Sequence, residues 1–283
     1  MIWEYFRPRS VSETLQLLKK WNGKAKLVAG GTNVVPEIRA KTVDRGTLID
    51  LSHLRTLSYI KEQKRNIRIG ALTSISEIAF SKVIQKYFPI LAEATRQIGN
   101  PLVRNRATLA GNLADASPAA DSAVPLLVLN ASVIVERHKN KAKQIPIDQF
   151  FIGPNKTVLK RDELIREIVL PKRVLSSRMV YSKMGLRNAM AISVISMGAL
   201  VEVEKGACSQ VRIALGAVAP TPRRAYGVEK LLAGQVVSEE LIDRCCGAIQ
   251  REIQPINDVR ATAEYRSFMA SVLLKRLLHQ VFF

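Results

Sequence analysis

Apolar residues recur along this chain with two periods, and the period changes as the sequence advances. Leu15 and Leu18 lie at helical spacing behind Ser10-Val11-Ser12-Glu13, which has the form of a capping box: serine to a helix amide, glutamate back to the cap. A turn at Asn22-Gly23 leads into a short apolar strand, Leu27-Val28-Ala29. Pro36 suits the start of the next short helix, where its missing N–H costs little. Thr47 to Leu51 reads as another strand, so the first 57 residues form a small α/β unit. Asn66 to Leu72 is a strand pattern. Ser74-Ile75-Ser76-Glu77 is a second capping box, opening a helix over Ile78, Ala79 and Val83. Pro89 restarts a helix through Leu91 to Ile98. An apolar helix follows around Val124 to Leu129, then alternation from Ser132 to Glu136. Glu167 to Leu170 is a strand stopped by Pro171. The last third changes order. Met197 to Glu204 and Gln210 to Val218 make a hairpin about Gly206, followed by helical patterns over 228–232, 238–253 and 263–282. Strands followed by helices predict an α+β domain, suited to docking or to a lid.

Between these elements lie two glycine-bearing segments. The first is Ala29-Gly30-Gly31-Thr32-Asn33. The second runs from Arg104-Asn105-Arg106 through Ala107-Thr108-Leu109-Ala110-Gly111-Asn112 to Ser117-Pro118 and Asp121. The first is not a dinucleotide fingerprint, because position 35 is Val where a third glycine is needed. It is not a P-loop, because no Gly-Lys-Ser/Thr follows. Consecutive amides with a glycine at positive φ make a nest for anions, and a plain tight turn reads equally from this segment alone. The second segment adds the donors Thr108 and Asn112 and two arginines, against the alternative of a buried turn with surface arginines. Two such loops suggest a diphosphate gripped from both sides without a metal.

Composition narrows the chemistry. The 283 residues are 47% hydrophobic and 24% charged, an ordinary globular balance. The N-terminus has no basic start ahead of an apolar core, so it does not read as a signal peptide. The apolar stretch from Ala189 to Val201 is shorter than the ~20 residues of a membrane span. A cytoplasmic protein is expected. Cys208, Cys245 and Cys246 are too few and too poorly spaced for a zinc or iron–sulfur site, and read as buried thiols. No metal site is expected on this chain. The net charge of +19 raises nucleic-acid binding, but the basic residues are scattered and aromatics are only 6%. A solvated surface or an acidic partner subunit accounts for the charge better. No Ser–His–Asp or Cys–His arrangement is visible, so no catalytic residue is assigned.

The chain resembles the FAD-binding medium subunit of molybdenum hydroxylases, the carbon monoxide dehydrogenase-like and xanthine dehydrogenase-like enzymes. The resemblance is carried by Leu27 to Asn33, by Ile98 to Asn112, by Ala116 to Asp121, and by Asp258-Val259-Arg260 with Glu264-Tyr265-Arg266. It implies an α+β fold: a two-part FAD-binding domain of the vanillyl-alcohol oxidase/PCMH type, then a C-terminal antiparallel-sheet plus helix domain. The implied units are 1–57, 58–172 and 173–283. It implies that Leu27, Val28, Ala29, Gly30, Gly31, Thr32, Asn33 and Val34 wrap the FAD diphosphate and flank the ring. Thr108, Leu109, Ala110, Gly111 and Asn112 would grip the diphosphate from the other side. Asp121 would bind on the sugar or adenine side, Ile98 and Ile165 would touch the flavin (both also read simply as core), and Lys183 would contact the cofactor. Arg104 and Arg106 would lend positive charge to the reduced flavin or face a partner. Ala110 stands where the pattern has a glycine, and is expected not to need a positive φ. Asn33 replaces a frequent Asp. No histidine lies in either loop, so FAD is expected non-covalent. By resemblance, the molybdenum cofactor and two-iron clusters belong to a large and a small partner subunit, with a dimer of heterotrimers as the assembly. Electrons from the clusters would pass through this FAD to an acceptor (NAD, a quinone, ferredoxin or oxygen). The alternatives are a stand-alone FAD oxidoreductase and a basic nucleotide- or nucleic-acid-binding module.

Overall fold

The computed structural model describes residues 3–40, 46–172 and 177–283. Met1 and Ile2 lie outside the described residues, as does residue 173 at the expected start of the third unit.

The first unit is a three-stranded parallel sheet in the order β1-β3-β2, built from β1 (Trp3–Phe6), β2 (Ala25–Val28) and β3 (Gly46–Asp50). Helices α1 (Val11–Trp21) and α2 (Val34–Arg39) connect them. The cap of α1 is half of the expected box. Ser10 accepts from the Glu13 N–H, but the Glu13 carboxylate takes the N–H of Arg9 rather than that of Ser10. Asn22 at φ 39 and Gly23 at φ 86 turn the chain back into β2.

The second unit is a five-stranded antiparallel sheet in the order β4-β5-β10-β6-β7. It begins with β4 (Ile60–Glu62) and β5 (Asn66–Gly70). Five short helices follow: α3 (Ile75–Phe80), α4 (Lys82–Tyr87), α5 (Pro89–Arg96), α6 (Pro101–Arg106) and α7 (Leu109–Asp115). The box on α3 is complete, with both Ser74 and Glu77 bonded. The helix expected to run on to Val83 breaks at Ser81, whose side chain caps α4. Then come α8 (Ala123–Val128), β6 (Ser132–Arg137), β7 (Lys143–Pro146), the small hairpin β8 (Phe151–Gly153) and β9 (Lys156–Thr157), and β10 (Glu163–Pro171). β10 begins four residues before its expected start, because charged Arg166 sits at a register shift opposite β6 and interrupts the apolar pattern.

The third unit carries the expected hairpin, β12 (Ile195–Glu204) and β13 (Ala207–Gly216). It is flanked by β11 (Arg178–Met184), which the sequence pattern did not reveal, and by the two-residue β14 (Arg223–Arg224). Helices α9 (Tyr226–Leu232), α10 (Glu239–Ile249) and α11 (Ala263–Phe282) cover one face of this antiparallel sheet. The cores interlock. Leu164 from β10 packs into the core of the first unit, while Tyr181, Leu200 and Ala214 from the third unit pack into that of the second. Cys208 and Cys245 are buried, and burial pushes both thiols up to about 11, so they sit as inert apolar groups.

Candidate functional site

The first glycine loop is fixed by two separate constraints. Gly31 has φ +74, in the left-handed region that favours glycine. Gly30 has no such angle, but a Cβ there would lie 1.9 Å from the Arg106 carbonyl oxygen. The first loop therefore rests directly on the backbone at the end of α6, and only a residue without a side chain fits. Past the loop, the Val35 N–H returns to the Gly31 carbonyl and the Glu37 N–H to that of Asn33. Asn33 starts α2 without a side-chain capping bond, which leaves its amide free of that duty.

The second segment is not the open loop its small residues suggest. It is two short helices, α6 and α7, joined at Ala107-Thr108. Each start is set by its own cap: Asn100 accepts from the Val103 N–H at 2.8 Å, and Thr108 Oγ1 from the Gly111 N–H at 3.1 Å. The Ile75 N–H donates to the Ala107 carbonyl at 2.9 Å and pins the joint to the head of α3. Ala110 lies inside right-handed α7, so no glycine is needed there, as expected. Gly111 also has ordinary helical backbone, and its constraint is space. A Cβ would lie 2.8 Å from Thr108 Oγ1 and crowd the cap.

Between the two segments opens a cavity of about 450 Å³. Leu27, Ala29, Gly30, Gly31, Thr32, Asn33 and Val34 line one side, and Thr108, Ala110, Gly111 and Asn112 the other. Ile165 reaches it from β10, beside Leu164. Val28 and Leu109 do not line it; Val28 packs near Gly31, and Leu109 is fully buried beneath α7. Sequence reasoning missed several walls, among them Leu51, Leu72, Leu159 and Asn155. Asn155 holds φ 54, its N–H donates to the Ala116 carbonyl and its side-chain amide to that of Asp115. The turn sequence Gly153-Pro154-Asn155 was a legible signal for it. Lys26 and Glu37, ion-paired between β2 and α2, complete the rim.

The remaining expected residues gather elsewhere. Asp121 and Lys183 form a buried ion pair, Nζ to Oδ2 at 2.6 Å, with side chains 8% and 7% exposed. Lys183 also donates to the Gln97 carbonyl at 3.1 Å. The other Asp121 oxygen accepts from the Tyr181 hydroxyl at 3.0 Å and from Ser193. A buried carboxylate needs this many partners. Burial, with the Asp121 charge next to it, pushes the Tyr181 phenol well above its ordinary range, so it stays a donor. Lys183 lines a second cavity of about 580 Å³, with Gln97, Gly99, Asn100 and Arg104. Neither Asp121 nor Ile98 lines the first cavity; Ile98 is half-buried, and its carbonyl accepts from Arg104 at 3.1 Å. Arg104 belongs to the second cavity. Arg106 is exposed, and what it brings to the first loop is its carbonyl rather than its charge.

The third expected signature is a structural clamp. Arg266, 1% exposed, donates to the carbonyls of Val194 and Ala217 and to Asp258 at 2.8 Å. Burial pushes the Asp258 carboxyl up, but bonds from Arg260 and the nearby Arg266 charge outweigh it and hold it at about 2.

Against known proteins, residues 1–173 match the family described as the FAD binding domain in molybdopterin dehydrogenase. Residues 180–281 match the CO dehydrogenase flavoprotein C-terminal domain. The chain belongs to this family. Its family likeness spans the whole length: it is 31% identical to the carbon monoxide dehydrogenase medium chain of Hydrogenophaga pseudoflava, covering 98% of this chain and 96% of that one. It is 28% identical to the glyceraldehyde dehydrogenase medium chain of Sulfolobus acidocaldarius, over 98% and 97%. A solved structure of the Hydrogenophaga pseudoflava carbon monoxide dehydrogenase, in a form lacking the Mo-pyranopterin moiety, superposes with a TM-score of 0.95 at 31% identity, covering 99% and 98%. FAD is the cofactor of the family, and the first cavity suits it. The cradle excludes a Cβ at Gly30, the polar side chains of Thr32, Asn33 and Asn112 are among its lining, and the leucines with Ile165 give it apolar surface. Among the described residues no cluster of His, Cys, Asp or Glu could hold a metal ion, and no helix is long and apolar enough to cross a membrane.

Proposed function

We propose that this chain is the FAD-binding electron-transfer subunit of a molybdenum-containing hydroxylase or dehydrogenase complex. It takes electrons from iron–sulfur clusters on a small partner subunit and passes them to an external acceptor. The observation that carries this reading is the two-sided cradle, with Gly30 seated on the Arg106 carbonyl, in a chain whose whole length follows the family. Leu27 to Val34 and Thr108 to Asn112 hold the diphosphate, and Ile165 packs on the ring. Bound there, FAD supplies a group that accepts and releases electrons singly or in pairs. The protein's part is to bind it, orient it and keep water from it.

In this reading Asp121 and Lys183, which do not line the first cavity, sit beside the cofactor site as a buried ion pair. The chain works in the cytoplasm with a large molybdenum-cofactor subunit and the small cluster-bearing subunit, and two such heterotrimers pair. The direct test mixes this chain, loaded with FAD, with its chemically reduced iron–sulfur partner under anaerobic conditions. The flavin absorbance is expected to bleach. No bleaching would contradict the relay, and bleaching by substrate without partners would favour a stand-alone oxidoreductase.

A further inference from the structure

Ser122 stands where a helix begins and does not cap it. It precedes α8 with φ −73 and ψ −22, helical rather than extended backbone, and its side chain accepts no amide of that helix. The residue is fully buried. A buried hydroxyl needs a partner, and this one reaches across to α7: Ser122 Oγ donates to Asn112 Oδ1 at 2.5 Å. Both ends of that bond are held in place. Asp121, the neighbour of Ser122, accepts from Tyr181, Lys183 and Ser193 of the third unit. The Ala123 N–H returns to the Ala120 carbonyl at 3.0 Å. On the other side, the Asn112 N–H donates to the Thr108 carbonyl at 3.0 Å, in the first turn of α7. What stays free is the soft final torsion of the Asn112 side chain, and the Ser122 bond settles it.

An asparagine amide has two unlike ends, an oxygen that accepts and an NH2 that donates. With the oxygen turned inward to Ser122, the NH2 is the end left for the first cavity, which Asn112 lines and Ser122 does not. Among the described residues that NH2 has no protein partner. The reverse orientation would present an oxygen to the cavity. Glu37, Asp115 and Glu163 already line it, and a further acceptor would repel a diphosphate. We infer that Ser122 is a positioning residue for the cofactor's diphosphate: it locks the Asn112 amide with its NH2 toward the first cavity, as a donor to a phosphate oxygen. The inference rests on the reading of Thr108 to Asn112 as one side of the diphosphate site. It also gives Asp121 a route to a cavity that it does not line, since Asp121 anchors the segment from which Ser122 sets Asn112.

The test is a double-mutant cycle on the full chain. FAD is removed and titrated back into the unmodified chain, Ser122→Ala, Asn112→Ala and the double variant. The Kd is read by flavin fluorescence, and circular dichroism of each flavin-free sample checks the fold. Ser122→Ala should weaken FAD binding about three- to tenfold, because the amide is then free to turn. On the Asn112→Ala background the same change should cost less than about twofold, since no amide is left to hold. ADP and adenosine are then compared as competitors. ADP should weaken by the same factor as FAD, and adenosine, which has no phosphate, should not. Unweakened FAD binding in Ser122→Ala overturns the inference, as does a loss that repeats in full on the Asn112→Ala background, or an equal weakening of adenosine. Ser122→Cys keeps the size and offers only a weak donor; run through the same cycle, it decides the question should Ser122→Ala fail to fold. An unmodified chain that takes up no FAD refutes the diphosphate reading itself, whereas FAD uptake with an additive cycle overturns this inference alone.

Discussion

Gly30 and Gly31 stand side by side yet are required for different reasons. Gly31 needs its positive φ, and Gly30 needs to have no side chain against the Arg106 carbonyl. Gly31→Ala should cost about 1–2 kcal/mol, the strain of a left-handed alanine, and should weaken FAD retention. Gly30→Ala should do more, because backbone cannot give way as a side chain can. We expect it to part the two loops and abolish FAD retention after desalting; flavin absorbance and thermal unfolding of the two variants check the order. Asp258 gives a pH prediction. Its folded-state value of about 2 lies below the unfolded value of roughly 4. Its contribution to stability is therefore complete above about pH 4 and is lost as pH falls toward 2. The size is about 1–2 kcal/mol, given its partial contact with solvent. Asp258→Asn should flatten the acid side of the stability curve measured by denaturant unfolding from pH 5 to 2. An unchanged curve would count against the clamp.

The elements around the site are short, and their ends carry the design. Thr108→Ala removes the cap of α7 and should cost about 1 kcal/mol, with weaker FAD binding because the diphosphate side of the cradle loosens. Asp121→Ala leaves Lys183 buried without its carboxylate, and should cost about 3–5 kcal/mol in chemical denaturation. These ends also show what was legible in the sequence. Ser74 to Glu77 read correctly because cap and glutamate serve each other locally. Ser10 to Glu13 read half correctly, since the glutamate had a competing amide at Arg9 one residue away. The second glycine segment misled because small residues suggest a loop, whereas Pro101 and Thr108 each start a helix. β11 escaped because Arg178, Ser182 and Lys183 break up its apolar pattern. The first cavity's two main walls were legible because they are local motifs. Leu51 and Leu72 were not, since only tertiary folding brings them there; Asn155 was marked by its turn alone, which does not place it at the cavity.

At the scale of the whole molecule, three units share their cores. Leu164 ties the second unit to the first, and Tyr181 ties the third to the second while its hydroxyl reaches Asp121. The FAD cradle lies where the first two units meet, so its shape depends on their docking, and bound FAD should in turn stabilise that docking. The central claim is that the two glycine segments jointly hold FAD, and the most direct measurement is the flavin absorbance of the purified chain and of two variants, Gly31→Val and Gly111→Val. The account predicts a yellow protein with stoichiometric FAD and folded but colourless variants. A colourless unmodified chain that takes up no added FAD, or full retention of FAD in both variants, would contradict it.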